Sequence, residues 1–120
     1  MLGNKMIRSG QSLDSIIRSA IRLKQVRKNS LRFGDLVVIN TQNSVYNVRV
    51  LERDSYLVSG GWFDKKGLSP MRTTIAGCTW GGSVIKLDVV AACGLCLEFG
   101  NRVITSPIQK MYVIPSAGEN

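Results

Sequence analysis

The chain contains no histidine. That absence removes the commonest general base, the commonest metal ligand and every serine or cysteine triad built on imidazole. Nor is there a glycine loop suited to cradle phosphate: Gly60-Gly61 and Gly81-Gly82 lack the following lysine and helix. No pair of carboxylates has a motif around it, since nothing in the spacing of Asp54, Asp64 and Asp88 asks for them to meet. The expectation is a non-enzymatic protein with no cofactor.

Acidic residues are scarce, 8 against 16 lysines and arginines, which leaves a net charge of +8. Bilayer-spanning runs are missing too. Residues 75–99 form the longest apolar block, but Lys86 and Asp88 sit near its middle, and each would cost about 2.5–3.5 kcal/mol at a bilayer centre. Residues 1–15 hold no apolar run of the kind a signal peptide needs. Three cysteines, an odd number, agree with a reducing compartment. Together these point to a cytoplasmic protein.

What is present suits one small globular domain. At 120 residues and 44% apolar content, a chain can bury about two-thirds of its unfolded surface without disulfides or metal. The expected organisation is a flexible arm over residues 1–11, a domain over 12–116 and a flexible tail over 117–120. Within the domain, residues 12–29 read as a helix. Ser12 suits its N-cap, and Leu13, Ile16, Ile17, Ala20, Ile21 and Leu23 share one broad stripe. Arg27 and Lys28 fall in its last turn, where cations are favoured.

From residue 33 to 115 the period changes to two. Short apolar runs are separated by Gly, Asn and Asp turns, which argues for an antiparallel body. Residues 36–42 and 45–53 read as a hairpin. Residues 72–79 and 83–91 read as further strands, with two short ones at 103–106 and 111–114. Glycines inside these patterns suit the bends of a small barrel. The run Gly34-Asp35-Leu36-Val37 resembles the turn-into-strand opening of many SH3-like barrels; the likeness covers four residues and carries no function with it. The fold class expected is α+β or mainly β, a basic amphipathic N-terminal helix packed on a small, strongly bent antiparallel barrel.

The charge is unevenly spread. Residues 1–32 hold eight cations against Asp14 alone, +7 of the total +8. Such asymmetry marks either a solvated face or an anionic partner. DNA or RNA is the partner expected, with phosphates met by Arg18, Arg22, Arg27, Lys28 and Arg32 and steep salt dependence. Trp62, beside Lys65 and Lys66, is the aromatic expected to be available for base stacking; Trp80 is expected in the core. A membrane surface is the least favoured partner. Cys93-Gly94-Leu95-Cys96 is a CxxC, but with Cys78 and no histidine it falls short of four zinc ligands. Buried thiols are the simpler reading and no metal site is expected. The other functional reading is a structural or protein-interaction module. The post-helix chain is apolar for its size, so self-association through an apolar β surface, giving a homo-oligomer, is expected as well.

Overall fold

The period-two patterns become antiparallel strands, and they begin earlier in the chain than the sequence suggests. The computed structural model describes residues 20–52, 54–80 and 84–116. Eleven strands follow in order: β1 (Ile21–Leu23), β2 (Gln25–Arg27), β3 (Leu36–Thr41), β4 (Val45–Val50), β5 (Tyr56–Gly60), β6 (Met71–Thr73), β7 (Ile75–Trp80), β8 (Val84–Lys86), β9 (Val89–Ala92), β10 (Cys96–Phe99) and β11 (Ile108–Ile114). A 3-10 turn at Lys28–Ser30 and a short helix, α1 (Gly61–Lys65), complete the elements of the described residues.

The strands form a six-stranded sheet in the order β1-β11-β3-β4-β5-β6, a three-stranded sheet β10-β7-β8 and a two-stranded pair β2-β9. The six-stranded sheet ends at β1 and β6, which do not pair, so the expected closed barrel is not formed. The expected hairpin is present, with Val37 opposite Val48 and Leu36 opposite Arg49. Residues 83–91 do not make one strand. A turn at Leu87-Asp88 divides β8 from β9, and residues 103–106 contribute only a bridge between Ile104 and Glu98.

The expected helix over 12–29 is corrected from residue 20 onward; residues 12–19, like the arm and the tail, lie outside the described residues. Ile21 pairs with Val113 and Leu23 with Met111, and Gln25 then pairs with Ala92. The physical reason is that Ile-Arg-Leu-Lys also alternates with period two. Helix propensities differ by only tenths of a kcal/mol per residue, which a ladder along an unpaired strand edge overrides.

One core joins the three sheets. The row Val37, Val48 and Val58 is fully buried across three adjacent strands, each side chain worth about 1.5–3 kcal/mol on burial. All four residues of β9 are buried, against β7, β10 and β11. At one end Phe63 of α1 meets Phe99 edge-on, ring centres 5.0 Å apart, and Tyr46 packs on both. The Tyr46 hydroxyl accepts the Trp62 N–H at 3.1 Å, which fixes the start of α1. At the other end the buried Asp35 carboxylate accepts the backbone N–H of Arg32 and of Ser116, each at 2.9 Å. It ties the loop before β3 to the chain beyond β11.

Gly60 closes β5 at φ 96° with its Cα against the Val45 carbonyl, so an added Cβ would overlap that oxygen. Gly67 has φ 70° but open space around it. Gly60→Ala therefore carries both the left-handed penalty and a backbone clash, a loss of about 3 kcal/mol or more. Gly67→Ala carries the first alone, about 1–2 kcal/mol. Urea unfolding of the two variants should separate them in that order.

Candidate nucleic-acid interface

Alternation along the six-stranded sheet sends one set of side chains into the core and the other outward. The outward set is organised by register. One row reads Arg22, Tyr112, Val38, Asn47 and Ser59 across β1, β11, β3, β4 and β5. The next reads Ile114, Leu36, Arg49, Leu57 and Arg72 across β11, β3, β4, β5 and β6. Lys110, Asn40 and Val45 begin a third. Strands lie about 4.8 Å apart, so each row is a ladder of side chains at that step.

Arg22, Arg49, Arg72 and Lys110 are exposed, whereas Leu36, Val38, Leu57, Tyr112 and Ile114 are half-buried. No strand of this sheet contains an aspartate or glutamate. Arg22, Lys110 and Arg72 thus stand toward the margins of this face and Arg49 within it, between Leu36 and Leu57, among apolar residues that include one tyrosine. Arg49 donates from Nη1 to the Gly34 carbonyl at 2.9 Å, which steadies its guanidinium. Arg72 reaches Glu52 at 3.3 Å, with both side chains mostly in solvent; such a pair is weak and screened by salt. Arg22 and Lys110 have no carboxylate partner among the described residues.

No family model, no curated protein and no solved structure matches this chain. The reading of the site therefore rests on its own geometry.

The cations expected to meet phosphate do not share one element. Arg18 lies outside the described residues. Arg22 stands on the sheet face just described. Arg27 is on β2, paired with Asp88 at 3.3 Å. Lys28 donates from Nζ to the Ile75 carbonyl at 2.8 Å and is half-buried. Arg32 is exposed on the loop before β3. Lys65 and Lys66 are exposed at the end of α1, and Trp62 is half-buried with its ring edge-on to Phe63. Six residues of the expected helix, 21–23 and 25–27, are laid out along two strands with Lys24 between them, so Arg22 and Arg27 stand on different strands rather than on one helix. Trp80, expected in the core, is 61% exposed. It is the last residue of β7, opposite Val84, past the covered part of the strand.

Sequence reading passed over Arg49, Lys110 and Tyr112. Arg49 was legible as the polar partner in an alternating strand. Bringing Lys110 and Tyr112 beside Arg22 needs the order β1-β11-β3, which no local pattern announces.

The cysteines take different environments. Cys93 is exposed in the turn after β9, its thiol 3.6 Å from the Gln109 carbonyl. Cys96 is half-buried at the start of β10, and Cys78 is buried. Among the described residues no group of three metal-ligating side chains forms. Burial pushes the Cys78 thiol from its usual 9.0 up to about 11. Tyr56 is raised in the same direction, by burial first and by the charge of Asp54 second. In the unfolded chain both groups ionise earlier, so stability is full below the usual thiol value and declines as pH rises through about 11. Cys78→Ala should flatten that alkaline decline in denaturation curves. At about pH 8 a thiol reagent should label Cys93 rapidly and leave Cys78 untouched until the chain unfolds.

Proposed function

We propose that the chain is a non-enzymatic binding module that holds single-stranded nucleic acid on the outer face of its six-stranded sheet. The observation that carries this reading is a face with four cations, no carboxylate in any strand of that sheet and apolar residues that include Tyr112. A positive field of this kind attracts a polyanion, and phosphates would meet Arg22, Arg49 and Lys110. Single-stranded ligands fit better than duplexes, because unstacked bases can lie against Tyr112, Val38 and Leu36. Bases are read weakly by such a surface, so generic binding is expected rather than strong sequence preference.

The test is fluorescence anisotropy with labelled DNA and RNA strands of about 20 nucleotides. Three phosphate contacts on a single strand give a slope of log K against log salt of about −2. Arg22→Glu/Arg49→Glu/Lys110→Glu should weaken binding at least about tenfold and flatten that slope, with thermal stability kept. Lys86→Glu, on the three-stranded sheet, should leave binding unchanged. Absence of binding at low salt, or equal loss in both variants, would contradict the reading.

A further inference from the structure

A pocket of about 450 Å³ opens between the 3-10 turn at Lys28–Ser30, the loop before β3 and the turn joining β4 to β5. Tyr56, the first residue of β5, lines it and is only 3% exposed. Its hydroxyl makes no hydrogen bond among the described residues. The fully enclosed side-chain atom without a partner there is Thr79 Oγ1, so the Tyr56 oxygen, equally unpartnered, reaches open space. The open space that Tyr56 borders is this pocket. A hydroxyl so deeply placed is costly to leave unpaired, which points to a ligand atom that completes it.

Asp54 stands over the same pocket. The turn that holds it is closed by the Ser55 N–H on the Glu52 carbonyl at 2.8 Å, and Asp54 takes φ 54° within it. Its carboxylate has no ion pair among the described residues. It lies close enough to Tyr56 for its charge to add to burial in keeping that hydroxyl protonated. Glu52 brings a second carboxylate, held only by its exposed pair with Arg72. Lys28 is in the lining too, but its Nζ donates to the Ile75 carbonyl at 2.8 Å. Leu31, Leu51 and Val50 supply apolar wall, and Phe33 is largely exposed beside them.

We propose that this pocket binds a small free amine, a primary ammonium on an apolar body, with the ammonium seated between the Tyr56 hydroxyl and the Asp54 carboxylate. An ammonium has three N–H donors and no acceptor. The Tyr56 oxygen and the carboxylate each accept one, and the bond to the carboxylate is charge-assisted. The body of the amine takes Leu31, Leu51 and Phe33 out of water. An anion would meet two carboxylates instead, and a neutral ligand would leave Asp54 uncompensated. The volume falls within the range of small-molecule sites, about 300–1,000 Å³. None of the lining residues belongs to the outward rows of the six-stranded sheet, so the site stands apart from the nucleic-acid reading.

The experiment is NMR on the full chain with labelled tyrosine rings and leucine methyls, titrated near neutral pH with 2-phenylethylamine. Saturable shifts of the Tyr56 ring and of the Leu31 and Leu51 methyls are expected, with a Kd below about 1 mM and Tyr112 unmoved. Two probes of similar size, uncharged 2-phenylethanol and anionic 3-phenylpropionate, should bind at least about tenfold more weakly. Asp54→Asn keeps a residue that tolerates positive φ and should weaken the amine about tenfold. Tyr56→Phe removes a hydroxyl with no partner to lose; it should keep a dispersed spectrum and weaken the amine about threefold, read from the leucine methyls. No saturable shift overturns the proposal, as does unchanged affinity in Asp54→Asn. Equal binding of the alcohol would mean an apolar pocket without a cation site, and tighter binding of the acid would mean that Lys28 selects the ligand; either result overturns it. So does a lysine-containing peptide that binds more tightly than the free amine, since the occupant would then be a protein.

Discussion

Residues 21–27 form one extended run that hydrogen-bonds to two sheets, and the rest of the structure depends on it. The first half adds an edge to the six-stranded sheet beside β11; the second half pairs with β9. At the crossing the Lys24 carbonyl accepts the N–H of Cys93 at 2.9 Å, and just after it the Lys28 N–H donates to the Asp88 carbonyl at 2.9 Å. The strand β9 has no other ladder partner among the described strands. Without this run its four buried residues would carry unpaired backbone groups into the core, at about 1–3 kcal/mol for each group left unsatisfied.

The same run decides where the positive charge goes. As a helix, residues 12–29 would hold Arg18 and Arg22 opposite the apolar stripe and Arg27 and Lys28 in its last turn, all on one element. As a strand that changes sheets, the segment hands Arg22 to the outer face of one sheet and sends Arg27 to Asp88 on another. Arg22 is then joined by Arg49 and Lys110, which come from distant parts of the chain. A basic surface arises from strand order rather than from a charge run, and Ile21 and Leu23, two residues of the expected helix stripe, line an open groove with Phe33 and Val113.

Much of the β body was legible. The hairpin β3–β4, its turn at Asn43-Ser44 and the turn before β3 follow from alternation and turn chemistry. Three features were not. Ile21-Arg22-Leu23-Lys24 satisfies a strand period as well as a helical one, and only the need of β11 for a partner chooses between them. Residues 83–91 read as one strand because Ile85, Leu87 and Val89 alternate with Lys86 and Asp88 straight through the turn. Trp80 is expected in the core because most aromatics of so small a domain are, but a strand's last residue can pass beyond the layer that covers it. Phe33-Gly34 and Phe99-Gly100 show the same limit: both enter turns, yet Phe99 is fully buried and Phe33 faces outward.

The central claim is that the chain between Ala20 and Lys28 is extended and shared between sheets. Backbone chemical shifts of residues 21–27 in the full chain test it most directly. The account expects Cα shifts below and Cβ shifts above random-coil values through Ile21–Leu23 and Gln25–Arg27. A continuous run of helical shifts across the same residues would contradict it, and with it both the basic sheet face and the groove beside β1.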